Sequence, residues 1–202
     1  RQPVISPINN QMVYVGSPFG LQALATDEAF DVLTYGLTVS GPPASPQWLS
    51  IDPASGYIQG TPTKPGTYNV TVTVHDNKEC NKTVFTSFLI DVRCPPIVVT
   101  SLAASPNLLW PPDHKVVTVA LGATTAGGCG KVSCQIVGVN SNEPPSADGD
   151  WQITGPLTLL LRAERLGAGN GRVYSIAVQC TDEEGNKTLG TVTVTVPHDQ
   201  GN

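Results

Sequence analysis

The chain has 202 residues, a formal net charge of −5, 13% charged residues and an abundance of glycine (20) and proline (18). This length suits one large domain or two ordinary ones, and the acidic, lysine-poor composition excludes the clustered positive charge that nucleic-acid binding needs. No apolar run approaches the roughly 20 residues that cross a bilayer, so no membrane insertion is expected.

Alternating apolar and polar residues predict a series of short strands in the first half. These lie near residues 11–15, 19–25, 32–39, 57–59, 67–75 and 84–92. Segments rich in proline, glycine, aspartate and asparagine separate them as turns. In the clearest run, TYNVTVTV, Tyr68 and three valines share one face while polar residues share the other. That alternation is typical of a half-buried antiparallel strand, and strands at this spacing predict a β-sandwich.

The segment Arg93-Cys94-Pro95-Pro96 interrupts the pattern, and its two prolines predict a short, semi-rigid linker. The strand pattern then resumes near residues 97–103, 115–123, 131–139, 151–153, 157–165, 172–180 and 188–196. We therefore predict an all-β protein made of two tandem antiparallel β-sandwiches, at residues 1–93 and 94–202.

Three segments of the first half carry a recognisable motif: ATDEAFDVLTYGL (25–37), PQWLSIDPASGYIQGTPTKPGTYNVTVTVHD (46–76) and FLIDV (88–92). They resemble the dystroglycan-type cadherin-like domain, also called the putative-Ig domain. The resemblance covers most of residues 1–93 and implies an Ig-like (cadherin-like) sandwich. Where that family often has D-x-D-G-D before L-T-Y, this chain has only Asp27, Glu28 and Asp31.

The second half is similar to Ig-like repeats of large secreted bacterial surface proteins. The resemblance rests on segments such as SPNLLWPPDHK (105–115), DWQITG (150–155), LRAERLGAGNGRVY (162–174) and CTDEEGN (180–186). It implies an Ig-like fold and an extracellular setting, and it implies no particular activity.

The five cysteines indicate disulfide bonds in an exported protein, because no C-x-x-C motif or zinc-like spacing is present. In an Ig-like sandwich the third and sixth strands are neighbours, so we predict Cys134–Cys180 together with Cys94–Cys129. Pairing of Cys129 with Cys180 is the alternative. Cys80 is left over, either as a free thiol or as an intermolecular link. The expected location is extracellular or at the cell surface.

Acidic residues form three candidate calcium sites, since calcium prefers six to eight oxygen ligands. The first comprises Asp27, Glu28 and Asp31 with Asp76 and Asn77, whose loops lie at one pole of a sandwich. The second is the D-x-D pair Asp148 and Asp150, near Glu143, and the third comprises Asp182, Glu183 and Asn186. The alternative for each cluster is a structural turn or a solvated loop.

Other candidate residues give little support to catalysis. No G-x-S-x-G, H-E-x-x-H, P-loop or G-x-G-x-x-G motif occurs, so we predict that the chain is not an enzyme. Trp110 and Trp151 stand near loops and are the candidate glycan-stacking residues, with a place in the core as the alternative, whereas Trp48 is expected in the core. The residues Arg162, Glu164, Arg165 and Arg172 are expected to form a salt-bridge ladder on a sheet surface.

The predicted function is a non-catalytic structural or adhesive module, acting as a spacer or assembly unit of a cell-surface, matrix or filamentous protein. Its partners would be other chains or domains of the same larger protein. Strand addition at TVTVTV (191–196) is one route to such contacts. The alternative is an accessory carbohydrate-binding module of a secreted hydrolase, with extracellular glycans as ligands.

Overall fold

The all-β fold class predicted from the sequence is confirmed. A computed structural model describes residues 2–27, 32–42, 47–77 and 82–199, and strands are the only extended regular elements in these ranges. None of the described residues belongs to a helix of the length and apolar character needed to cross a membrane. The chain divides into two compact units, Arg1–Pro95 and Pro96–Asn202.

The described residues of the first unit form nine strands, most of them in two main sheets. They are β1 (Val4–Ile5), β2 (Gln11–Tyr14), β3 (Phe19–Gln22), β4 (Ala25–Thr26), β5 (Leu33–Ser40), β6 (Leu49–Ile51), β7 (Tyr57–Gly60), β8 (Gly66–Asp76) and β9 (Thr83–Arg93). One sheet has the order β2-β9-β8-β5 and the other the order β3-β7-β6, while β1 pairs with β4. All pairings are antiparallel except that of β2 with β9.

The core of the first unit includes the inward-facing side chains of β8, which alternate with exposed ones. Tyr68, Val70, Val72 and Val74 are fully buried, as the period-two pattern predicts. Trp48 packs between Phe19 and Tyr68, with edge-to-face centroid distances of 6.3 and 5.4 Å. Such pairs add to the stabilisation from apolar burial, so Trp48 serves the core.

The turn at residues 52–56 is built by an aspartate and a glycine. The Asp52 carboxylate accepts backbone N–H bonds from Ala54 at 3.0 Å and Ser55 at 2.6 Å. The bond from Ser55 holds the pKa of Asp52 below its usual value. Gly56 has a φ of 74°, which glycine adopts without steric cost. Asp52 therefore has a structural role as a turn former.

The second unit contains seven strands in two sheets. They are β10 (Val98–Ser105), β11 (Val116–Ala126), β12 (Ser133–Ser141), β13 (Trp151–Gly155), β14 (Thr158–Arg162), β15 (Gly171–Thr181) and β16 (Lys187–Pro197). The sheet orders are β10-β11-β14-β13 and β12-β15-β16, all antiparallel. The core between them includes Val119, Leu159, Leu161, Ile176 and Val194, each with no exposed surface.

Candidate functional site

The most heavily charged interior feature of the second unit is centred on Arg172, the second residue of β15. Its side chain is 2% exposed, and Nη1 lies 2.6 Å from Oδ1 of Asp150. Its Nε lies 3.1 Å from Oε2 of Glu143, and its Nη2 donates to the carbonyl of Pro144 at 3.1 Å. The predicted surface salt-bridge ladder is therefore wrong for Arg172, which lies in the interior because β15 alternates and places it on the same face as Tyr174 and Ile176.

Asp150 is fully engaged in this interior cluster. Besides Arg172, its carboxylate accepts the backbone N–H of Ser146 at 3.0 Å and the Ser146 hydroxyl at 2.6 Å. Burial alone would raise the pKa of Asp150, but the bonds from Ser146 and the charge of Arg172 outweigh it and lower the pKa. Asp148 by contrast is exposed. The two carboxylates face different surroundings, which argues against a cation shared between Asp148 and Asp150.

Glu143 and Tyr174 complete the cluster. Oε2 of Glu143 also accepts the backbone N–H of Leu166 at 2.9 Å, and the Tyr174 hydroxyl donates to the carbonyl of Arg162 at 2.8 Å. Burial raises the pKa of Tyr174, and so the hydroxyl keeps its proton and remains a donor. The cluster thus fastens the loops before β13 and before β15 to the core.

A shallow groove of about 190 Å³ lies on the outer face of the sheet that holds β13 and β14. It is lined by Val116, Asp148, Gly149, Asp150, Trp151, Gln152, Leu160 and Arg162. Arg162 shapes its wall, because Nε donates to the carbonyl of Gly149 at 2.9 Å and Nη2 to that of Asp148 at 3.2 Å. A third bond reaches the His114 carbonyl at 3.2 Å. These bonds use three of the five N–H donors of Arg162 and hold its side chain against the loop before β13.

The two candidate glycan-stacking residues are partly exposed. Trp110 is 41% and Trp151 38% exposed. The Trp151 and Tyr174 rings form a T-shaped pair with centroids 6.3 Å apart, so part of the Trp151 ring contacts the core. The Trp151 ring is therefore only partly available for stacking on a glycan, although it borders the groove.

The third acidic cluster is a closed hairpin turn. Oδ1 of Asp182 accepts the backbone N–H groups of Glu184 at 3.1 Å and Asn186 at 2.8 Å, and Oδ2 accepts those of Cys129 at 2.8 Å and the Asn186 amide at 2.9 Å. Burial would raise the pKa of Asp182, but these donors lower it. Glu183 is exposed beside it. Four internal donors fill the Asp182 carboxylate, which is the turn-forming role rather than that of an open cation ligand.

The first acidic cluster lies partly outside the described residues, which exclude Glu28 and Asp31. Asp76 is 3% exposed at the end of β8, where its backbone N–H donates to Lys82 at 3.0 Å. The Asn77 amide donates to the Thr34 hydroxyl at 2.6 Å, and Asp27 directly follows β4. Calcium binding at this pole stays a prediction.

A disulfide joins Cys134 of β12 to Cys180 of β15, at positions that are directly opposite in the sheet, with Cα atoms 4.0 Å apart. Cys94 and Cys129 are also disulfide-bonded. The pairing of these two with each other stays a prediction. Cys80 lies outside the described residues.

Comparison with known proteins agrees with this architecture. The family model described as "Putative Ig domain" matches residues 2–92. The match covers just under half of the chain and agrees with the Ig-like sandwich fold of the first unit. No curated protein matches the chain.

Solved structures show only distant similarity. A Bacteroides fragilis protein described as a putative alpha-galactosidase/melibiase is 22% identical over 47% of this chain, with a TM-score of 0.37, and the match covers 19% of that protein. Mouse cadherin-23 domains EC22–24 are 15% identical over 97% of this chain and 66% of theirs, with a TM-score of 0.45. Protocadherin gamma B2 domains 3–6 are 14% identical over 96% of this chain and 52% of theirs, with a TM-score of 0.46. The chain thus spans about a fifth of the first of these proteins.

Proposed function

We propose that the chain is a non-catalytic extracellular module with a structural or adhesive role, a spacer or assembly unit within a larger cell-surface, matrix or filamentous protein. The observation that supports this proposal is how the buried charged side chains of the second unit are bonded within the protein. Arg172, Asp150 and Asp182 direct their charged groups to protein partners that brace loops, and one carboxylate oxygen of Glu143 bonds to Arg172. A catalytic acid or base instead needs a hydrogen-bonding position that stays free for the substrate.

The disulfide chemistry supports the extracellular part of the proposal. The bond between Cys134 and Cys180 links two adjacent strands, and such bonds persist in oxidising compartments. Partners of the module are other polypeptide chains, or other domains of the same larger protein.

A bead assay tests the proposal directly. Beads coated with the chain are applied to surfaces carrying collagen, laminin or fibronectin and to surfaces carrying the chain itself, while soluble chain is assayed against ester, glycoside and peptide substrates. We expect saturable attachment to at least one surface and no turnover. Turnover that a single substitution abolishes, together with no attachment anywhere, would contradict the proposal.

Glycan recognition is the second candidate function, and the groove beside Trp151 favours it. This groove, of about 190 Å³, presents the exposed Asp148 and the side chain of Gln152 beside apolar Val116 and Leu160. Polar groups set in a partly apolar depression are typical of small-ligand sites.

A glycan array distinguishes this candidate from a purely structural role. Binding that Gln152→Ala removes, and that Gln135→Ala on the opposite sheet leaves unchanged, would establish the groove as the site. A flat array signal for the unmodified chain would rule the candidate out.

A further inference from the structure

One edge of the second unit is unpaired over most of its length in the described structure. Strand β16 pairs with β15 along one side from Lys187 to Pro197. On its other side a parallel bridge joins Leu108 to Thr195, made by bonds from Thr195 to Asn107 at 3.0 Å and from Leu109 to Thr195 at 2.8 Å. Since strand residues alternate in the direction of their backbone groups, Leu189 and Thr191 point their N–H and C=O groups to this same side.

The unpaired stretch borders a groove rather than a flat wall. A depression of about 530 Å³ runs between β10 and β16, lined by Ile97, Val98, Val99, Thr100, Ser101, Leu102, Thr188, Leu189, Gly190 and Thr191. Gly190 faces Leu102 and Val99 and contributes no side chain of its own. Leu189 is 66% and Val98 55% exposed at its rims. An added strand would therefore gain both backbone hydrogen bonds and apolar contact.

Beyond Lys187, the edge lacks the devices that normally prevent such pairing. Natural sheets protect their edges with charged residues, prolines or bulges. From Thr188 to Val196 this strand has no charge, no proline and no register shift.

We propose that a second copy of this chain pairs with the β16 edge, antiparallel, about a two-fold axis at Leu189. This inference rests on the proposed assembly role and names the surface that performs it. The register aligns Leu189 with the partner's Leu189 and Lys187 with the partner's Thr191. It uses residues 187–191 only, so it stays clear of Thr195, where Asn107 and Leu109 already bond.

The charge pattern favours a second copy as the occupant. The single cation of the stretch, Lys187, faces an uncharged threonine, and the two copies of Lys187 lie about 13 Å apart along the strands. That separation exceeds the Debye length of about 8 Å at physiological ionic strength. The exposed Leu189 side chains meet at the axis and leave water together.

Analytical ultracentrifugation of the whole chain tests the inference. Five paired residues on each side form a small, transient interface, so we expect monomers at about 5 µM and dimers at several hundred µM. Thr191→Lys places a lysine opposite the partner's Lys187 at two symmetric positions, and we expect about tenfold weaker association. Thr191→Glu places an anion there instead, and we expect stronger association.

The matched control is Thr118→Lys, which makes the same change on the exposed face of β11, where Thr118 lies outside the proposed interface and pairs with Leu160 of β14. It leaves association unchanged. Amide exchange supplies a second readout: the N–H groups of Lys187, Leu189 and Thr191 become protected as concentration rises.

A chain that stays monomeric throughout, or a dimer indifferent to both Thr191 substitutions, overturns the inference. Either result can coexist with attachment of chain-coated beads to matrix proteins, so it is distinguishable from failure of the proposed function.

Discussion

At the scale of single residues, the stability of the second unit depends on one buried cation and its two acids. Arg172 is almost fully enclosed and holds Asp150 and Glu143 within salt-bridge distance. Burying charges is costly, and removing one member of a buried group leaves the others uncompensated. The side chains at these three positions are therefore interdependent.

We expect Arg172→Met to destabilise the protein by about 3–5 kcal/mol, because it leaves two buried carboxylates without their cation. Urea unfolding measures the loss. Arg93→Met is the matched control, since Arg93 pairs with Asp91 on the surface and its side chain is 63% exposed. Such a pair contributes about 0–1 kcal/mol, and equal losses in the two variants would contradict the assigned role of Arg172.

Asp150 makes part of this stability depend on pH. Its pKa is lowered in the folded state from the ordinary value of 3.8, so its contribution is complete above that value. The contribution is lost as the pH falls through the folded pKa. We therefore expect the stability gap between the unmodified chain and Asp150→Asn to be constant near neutral pH and to shrink in acid. A gap that widens below pH 3.8 would show that the carboxylate is not stabilised by folding.

At the scale of the elements, close approach of two backbones fixes the small sheet of the first unit. Gly60 ends β7, and a Cβ atom there would overlap the carbonyl oxygen of Trp48, which precedes β6. The sequence I-Q-G-T-P therefore needs glycine for space. This contact also positions Trp48 against the core residue Tyr68.

We expect Gly60→Ala to lower the melting temperature strongly or to prevent the first unit from folding, because the overlap involves rigid backbone. Gly122→Ala is the control. Gly122 lies in a strand with nothing within 4 Å of an added Cβ, so alanine there should be neutral or stabilising. Comparable melting of both variants in circular dichroism would contradict the steric argument.

Strands in which apolar and polar residues alternate strictly could be predicted from the sequence. Strand ends that are set by tertiary contacts could not. TYNVTVTV forms β8 as expected, and the run near 188–196 forms β16. The predicted strand 157–165 ends at Arg162, whose side chain bonds to the loop before β13. The predicted strand 19–25 is divided into β3 and β4.

The buried charge cluster escaped prediction because Arg172 lies in β15 and its two acids lie in the loop between β12 and β13, which no periodicity connects. One signal was present: alternation in GRVYSIAVQC places Arg172 on the same face as Tyr174, Ile176, Val178 and Cys180. An inward-facing arginine requires buried acids as partners. The sequence did not identify which acids these would be, because Glu164 and Asp182 are nearer to Arg172 in the chain than Glu143 and Asp150.

At the scale of the whole molecule, two sandwich units follow one another, and each has its own core. Their acidic residues gave three candidate calcium clusters, and the structure distinguishes these clusters by the hydrogen bonds that their carboxylate oxygens accept. In the second unit, internal donors occupy the carboxylates of Asp150 and Asp182. These bonds argue against a cation at the second and third clusters, and calcium binding at the cluster of Asp27 and Asp76 stays a prediction.

We expect that replacing chelator with excess calcium leaves hydrogen exchange unchanged in residues 142–150 and 182–186, because a cation would have to displace bonds already made. Exchange mass spectrometry of the whole chain measures this. New protection at residues 75–77 would support a calcium site at the first cluster. Protection in the hairpin at 182–186 would contradict the role given to Asp182.

The Cys134–Cys180 bond has a mechanical consequence for a chain that carries load. Pulling on the two ends cannot extend the segment between these cysteines, which are 46 positions apart. An unfolded variant carrying Cys134→Ala and Cys180→Ala should reach about 160 Å further than the unmodified chain, at about 3.5 Å per residue. Single-molecule force measurements report that difference in contour length, and equal lengths would show that the bond is absent. The intact bond makes this unit a shorter tether, one that lengthens on reduction.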